Sequence, residues 1–178
     1  MNKIFYIADT HFGHENVIKF DDRPFSSIKE HDEAIIANWN SVVDNSDDVY
    51  ILGDFCFKNE IPVQEYTKRL KGRLHLIRGN HDKQTPEYER CFESVDDIKT
   101  IGDTVNGEKK KVVLCHYWMP FIGQRKIMLY GHTHMGDEYL LETILQDVLK
   151  EHDYPQNAYN VGCMHLGYFP KTLEQIIG

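Results

Sequence analysis

The chain has 178 residues, 41% of them hydrophobic, with 20 basic and 28 acidic side chains for a net charge of -8. That length and apolar share suit one folded domain over residues 1–178 and argue against disorder. The acidic balance argues against stable nucleic-acid binding, and with no apolar run of transmembrane length no membrane association is expected.

The first element is IFYIAD (4–9), an apolar run that passes straight into Asp9, His11 and His14. Four more runs follow the same plan: VYILGD (49–54), LHLIRGN (74–80), KVVLCH (111–116) and KIMLYGH (126–132). Continuous β-branched and aromatic runs fit strands buried on both faces, and each of the five ends in Asp, Asn or His. Between them, SSIKEHDEAIIANWNSVV (26–43) opens with Ser27 three residues before Glu30, a capping-box spacing. IPVQEYTKRLK (61–71) carries Pro62 near its start, as helix N-termini permit. Alternating strands and helices point to a layered α/β core.

Residues 96–116 read differently, with Asn106-Gly107 between two β-like runs, which predicts a hairpin. DEYLLETILQDVLKEH (137–152) has helical spacing, and AYNVG (158–162) and TLEQII (172–177) predict a last strand and a last helix. The four cysteines, Cys56, Cys91, Cys115 and Cys163, form no CxxC pair, so reduced thiols in a cytoplasmic protein are expected. A cleaved signal peptide is not expected, because it would remove Asp9.

In open α/β sheets, ligands bind outside the carboxyl ends of the strands. Those ends deliver Asp9, His11, Asp54, Asn80, His116, His132 and His134, with His81 beside them. Residues two apart on an extended segment point the same way, so Asp9 and His11 are expected to converge. Seven donors exceed the three that a catalytic zinc uses, and suit two ions if one carboxylate bridges them. Two divalent ions against two carboxylates leave the site positive, which favours a phosphate ester as the bound anion. The donor types suit manganese, iron or zinc, with manganese preferred.

The motifs DTH (9–11), GD (53–54), GNHD (79–82), CH (115–116) and GHTH (131–134), in this order, resemble the calcineurin-like metallophosphoesterase superfamily. The opening DTHFGHEN, RPF (23–25) and NVG (160–162) are similar to its small bacterial and phage members, and the likeness runs from Lys3 to about Glu174. The resemblance implies a four-layer α/β/β/α sandwich. It implies that Asp9, His11, Asp54 and His134 hold a first ion, and that a bridging Asp54 with Asn80, His116 and His132 holds a second. Water activated at the ions would attack phosphorus in line. His81 would stabilise the transition state and protonate the leaving oxygen. Asp82 would orient the His81 ring.

The implied function is a phosphodiesterase acting on a small phosphorylated molecule or a nucleotide derivative. A phosphomonoesterase or a metal-binding scaffold without activity are the alternatives. GDFCFKNE (53–60) lacks the Asp-Arg-Gly extension of the protein phosphatases of the superfamily, and the chain is shorter than its nucleases. His14 either lines the pocket or caps the following segment. Arg23 either binds substrate phosphate with its bidentate fork or pairs with Asp21 or Asp22 at the surface. In residues 137–152, Leu140, Leu141, Ile144, Leu145, Val148 and Leu149 form one stripe, which packs on the core or makes a homodimer contact or pocket wall.

Overall fold

A computed structural model describes residues 2–57, 61–123, 125–154 and 157–178. Strands β1 (Ile4–Ile7), β2 (Asp48–Ile51), β3 (Arg73–Ile77) and β4 (Ser94–Asp96) run parallel in one sheet. β9 (Lys171–Thr172) pairs antiparallel with β1, giving the order β4-β3-β2-β1-β9. The second sheet has the order β5-β6-β7-β8, with β5 (Ile98–Val105) and β6 (Glu108–Cys115) antiparallel and β7 (Lys126–Tyr130) and β8 (Ala158–Asn160) continuing in parallel. The β5–β6 turn is the expected Asn106-Gly107, with φ of 51° and 80°. Positive φ at both residues is what a two-residue turn needs to follow the strand twist.

The two sheets face each other through Tyr6, Ala8, Leu52 and Ile77 on one side and Val112, Leu114 and Leu129 on the other, all fully buried. The outer face of the first sheet carries Phe5, Ile7, Val49, Ile51 and Leu76. Helix α2 (Ile28–Val42) lays Ile35, Ile36 and Trp39 on it, and α3 (Val63–Thr67) adds Val63 and Tyr66. Alternate residues of β1 thus serve opposite cores, which explains its uninterrupted apolar run. The N-cap of α2 is Ser27, whose hydroxyl accepts from Glu30 N at 3.2 Å, while Glu30 returns to Ser26 N at 2.8 Å. The return bond is one residue off the expected box.

Helices α1 (Glu15–Phe20) and α4 (Pro86–Glu89), and strands β4 and β9, have six residues or fewer. Runs that short carry no periodic signal. The last helix, α6 (Leu173–Ile177), closes with the capping box Thr172/Gln175. No helix among the described residues is long and apolar enough to cross a membrane.

The second sheet's outer face carries Cys115, Met128 and Tyr130, with Trp118, Met119 and Ile122 against them. Helix α5 (Asp137–Glu151) reaches this face through polar groups. Glu142, only 5% exposed, accepts from the Tyr130 hydroxyl and from Thr133 Oγ1 at 2.7 Å, and Gln146 donates to Tyr130 Oη at 2.9 Å. Its apolar stripe points out: Leu140, Leu141, Ile144, Leu145 and Val148 are between 42% and 60% exposed. Packing of the stripe on the core is therefore overturned for these five residues, while Leu149, the sixth, is half-buried on the inner side.

Candidate metal centre

Every predicted ligand lies just past the carboxyl end of a strand: Asp9 and His11 after β1, Asp54 after β2, Asn80 after β3, His116 after β6, His132 and His134 after β7. The two sheets are joined here. Ala8 N donates to Val161 O and Cys163 N to Ala8 O, both at 2.8 Å, which brings the end of β1 against the segment after β8.

The strands stop earlier than the sequence suggests, and four of the candidate ligands sit on strained backbone. β1 ends at Ile7, and Asp9, His11, Asp54 and His132 have φ of 55°, 48°, 53° and 73°. Left-handed conformations in non-glycine residues are uncommon and disfavoured, and gather at functional sites. Asp9 and His11 do converge, but not through the parity of an extended strand. Neighbouring glycines make room. A Cβ on Gly53, whose φ is 87°, would lie 2.3 Å from His116 Nδ1, and one on Gly79 would lie 2.2 Å from Asp54 Oδ1.

The donors form two overlapping groups. In the first, His11 Nε2 lies 3.3 Å from His134 Nε2, Asp9 Oδ1 lies 3.7 Å from His134 Nε2, and Asp54 Oδ2 lies 3.6 Å from His11 Nε2. In the second, Asn80 Oδ1 lies 3.0 Å from His116 Nε2 and 3.1 Å from His132 Nδ1, and Asp54 Oδ2 lies 3.7 Å from His116 Nε2. Asp54 Oδ2 stands between them. The sets Asp9–His11–His134 and Asp9–Asp54–His116 each have the spacing to hold a metal ion.

The chemistry of the set fits divalent cations. His116 Nδ1 donates to Leu52 O at 2.8 Å, so the neutral ring presents a lone pair at Nε2, where it faces the Asn80 carbonyl oxygen. Burial lowers the pKa of His11, His116 and His132, favouring the neutral form a metal needs. Burial raises the Asp54 carboxyl, and pushes Asp9 up from 3.8 to about 7. Between pH 3.8 and about 7, folded metal-free protein keeps a proton on Asp9 that the unfolded chain has released, so its stability falls as pH rises through that window. An ion at Asp9 favours the carboxylate. The rise in Tm on adding Mn²⁺ is therefore expected to be larger at about pH 8 than at about pH 5.5, as scanning calorimetry would show. An equal rise at both would remove Asp9 from the ion's neighbours.

His81 lies beside the centre with its side chain 34% exposed, Nε2 3.9 Å from Asp54 Oδ2 and its backbone N bonded to Asp54 Oδ1 at 2.9 Å. Asp82 does not orient it, which corrects the expectation. Asp82 Oδ2 accepts from Asp54 N and Gly79 N, both at 2.9 Å, and Oδ1 from Phe55 N at 3.0 Å and Tyr88 Oη at 2.7 Å. With both oxygens occupied, Asp82 clamps the Gly53-Asp54 loop to the Gly79-Asn80 loop. His14 is the N-cap of α1 but makes no capping bond through its side chain. Its ring instead lies 5.4 Å from His11 and 4.6 Å from Phe57, on the pocket side.

Arg23 is also a correction: at 3% exposed it cannot take a substrate phosphate. Its partner Asp21 was among the expected ones, but the pair is buried, with Nε 2.7 Å from Asp21 Oδ2. The guanidinium also holds Asp9 O at 2.9 Å, Thr10 O at 3.2 Å and His31 Nε2 at 2.8 Å. Asp21 Oδ2 in turn lies 3.2 Å from His134 Nδ1. Burial works against charge on His134, but Asp21 and Asp9 outweigh it and raise its pKa. Asp21 was not legible as part of the centre; its spacing from Arg23 was the signal available.

The sequence profile of the calcineurin-like phosphoesterase superfamily domain matches residues 2–141. An uncharacterized protein of Methanocaldococcus jannaschii is 48% identical over 85 residues, a match covering 47% of this chain and 48% of that protein, so about half its length. The gene 66 protein of Mycobacterium phage L5 is 28% identical, over 75% of this chain and 78% of its own. A crystal structure of an Aquifex aeolicus protein of unknown function superposes with a TM-score of 0.74 at 26% identity, covering 98% of this chain and 97% of that one. With the motif order, the two-sheet fold and the profile match over most of its length, the chain belongs to the calcineurin-like phosphoesterase superfamily.

Proposed function

We propose that the protein is a phosphodiesterase for a small molecule, working with two divalent ions, manganese by preference and iron or zinc otherwise. The observation that carries this is Asp54 Oδ2, within 3.6 Å of His11 and 3.7 Å of His116, one from each donor group. Asp9, His11, Asp54 and His134 would hold one ion, and Asp54, Asn80, His116 and His132 the other. Bound there, the ions supply positive charge for the phosphate and lower the pKa of water.

The remaining roles fall to this chain's own groups. His81, half-buried beside the centre, donates the proton to the leaving oxygen. Tyr117, 45% exposed with its ring 4.7 Å from that of His132, forms one wall. A cavity of about 770 Å³, lined by His14, Lys29, Phe57, Ile61, Tyr66 and Arg69, lies beside the centre. That is the size of a small-molecule site, and its lining mixes apolar side chains with Lys29 and Arg69 and with the carboxylates Glu15, Asp32 and Glu33. His14 joins this cavity to His11.

The test is hydrolysis of bis-p-nitrophenyl phosphate and p-nitrophenyl phosphate by metal-stripped protein with and without added Mn²⁺. Diester turnover that requires the metal is expected. His81→Ala should lower kcat by about 10²- to 10⁴-fold with Mn²⁺ binding unchanged, the range for loss of a general acid. Preference for the monoester would make the protein a phosphomonoesterase. No turnover of either substrate with two ions bound would make it a scaffold.

A further inference from the structure

Helix α5 is amphipathic with the wrong face inward. Tyr139, Glu142, Gln146 and Leu149 face the domain, and the fixed contacts are polar ones, Glu142 to Tyr130 and Thr133 and Gln146 to Tyr130. Leu140, Leu141, Ile144, Leu145 and Val148 recur at helical spacing on the opposite side, 59%, 60%, 50%, 53% and 42% exposed. The tie to Tyr130 and Thr133 fixes the helix's rotation, so the stripe cannot turn inward without uncovering Glu142. A contiguous apolar stripe of this kind on a chain of net charge -8 marks an interaction surface.

The charges around the stripe select its occupant. Asp137 precedes Leu140 and Leu141 by three and four residues, Glu138 precedes Leu141 by three, Asp147 follows Ile144 by three and Glu151 follows Val148 by three. On a helix these are neighbours of the stripe, and all four are exposed. Lys150, the base within α5, follows Gln146 by four and Asp147 by three, so it lies behind Asp147, off the stripe. A second copy in antiparallel register about Ile144 would set Asp137 against Glu151, and a parallel one would set Asp137 against Asp137. An anionic bilayer would meet the same carboxylates, whereas helices that lie on membranes carry Lys and Arg there. A helix with an apolar face and Lys or Arg along both edges satisfies stripe and rim together.

We propose that α5 docks a cationic amphipathic helix of another protein. The probe is a labelled peptide with Leu and Lys at helical spacing, read by fluorescence anisotropy against the full chain. Controls are the same composition scrambled and a Leu–Glu counterpart. The Leu–Lys helix should bind at least tenfold more tightly than either, and more weakly as salt rises. Leu141→Ser/Ile144→Ser/Leu145→Ser should weaken it at least tenfold with the circular dichroism spectrum unchanged, and the single Ile144→Ser should do so in part. Asp147→Asn/Glu151→Gln should flatten the salt dependence. Equal binding of the scrambled peptide, or indifference to both serine variants, would overturn the proposal. So would a concentration-dependent dimer in sedimentation velocity that Ile144→Ser dissolves, which would assign the stripe to a second copy. Flotation with phosphatidylcholine/phosphatidylglycerol vesicles would overturn it in favour of a membrane surface.

Discussion

If Asp54 bridges two ions as proposed, Asp54→Asn is expected to abolish high-affinity metal binding and yet leave the metal-free protein as stable as before, or more so. The side chain is 2% exposed, and one oxygen lies within 3.9 Å of His11, His81 and His116. Its other oxygen accepts from His81 N at 2.9 Å. Asparagine keeps the size and can keep that bond, so the loop holds. It loses the negative charge shared by both donor groups. Burial raises the Asp54 carboxyl, so without an ion its ionised form opposes folding. Neutralising it removes that opposition. Titration calorimetry with Mn²⁺ should therefore show fewer bound ions and at least about a 10²-fold loss of affinity, beyond the usual effect of an outer-shell change. Thermal melts of stripped protein should show an unchanged or higher Tm. Diester hydrolysis should fall by more than about 10³-fold, more than removal of one hydrogen-bond donor to a transition state. Retained affinity for two ions would mean that Asp54 is not shared between them. A lower metal-free Tm would mean that its charge is stabilised by the fold itself. The split between stability and function is the signature of a site built for a cation that the chain alone does not contain.

The convergence of the candidate ligands could be read from the sequence because each follows a run of apolar residues that ends at the sheet edge. A strand buried on both faces ends at the sheet edge, and whatever polar residue comes next stands at the ligand side. That logic placed Asp9, Asp54, Asn80, His116 and His132 together without knowledge of any dihedral angle. It did not reveal the means. Asp9 and His11 meet through two left-handed residues, with φ of 55° and 48°, and no pattern of apolar residues encodes such a conformation in Asp or His. The glycines were the visible trace of it. Gly53 and Gly79 stand inside the GD and GNHD motifs, and a side chain on either would strike His116 or Asp54.

Two expectations fail at long-range contacts. Arg23 does pair with Asp21, but in the interior and not at the surface or on a substrate phosphate, and Asp82 does not orient His81 as the family resemblance implies. In the fold each turns to a distant element: Arg23 to the carbonyls of Asp9 and Thr10, Asp82 to the amides of Asp54 and Phe55. Helix α5 shows a third limit. Periodicity gives the width of its apolar stripe, but not which face the protein turns inward. That was settled by Glu142, whose carboxylate found Tyr130 and Thr133.

The buried Arg23 network yields the largest expected loss of stability. Arg23→Leu should lower the unfolding free energy by about 3–5 kcal/mol, measured by urea denaturation of metal-free protein, because it leaves the Asp21 carboxylate buried without its cation. It also strips a donor from Asp9 O and Thr10 O, the carbonyls flanking the strained turn that carries Asp9 and His11. Arg23→Lys should recover little, since one ammonium cannot reach Asp21, two carbonyls and His31 from the directions that a planar guanidinium does. Arg23→Leu/Asp21→Asn should be more stable than the sum of the single changes, since the second removes the orphaned charge, and a double-mutant cycle would measure the coupling. In that double variant Mn²⁺ should still bind more weakly than in the unaltered protein. His134 would have lost the carboxylate 3.2 Å from its Nδ1, which supports the ring as a ligand through Nε2. A loss below about 1 kcal/mol in Arg23→Leu would show instead that water enters and solvates Asp21. In that case the turn bearing Asp9 and His11 is held by the loop glycines and the Asp82 clamp, and the network beneath it is dispensable.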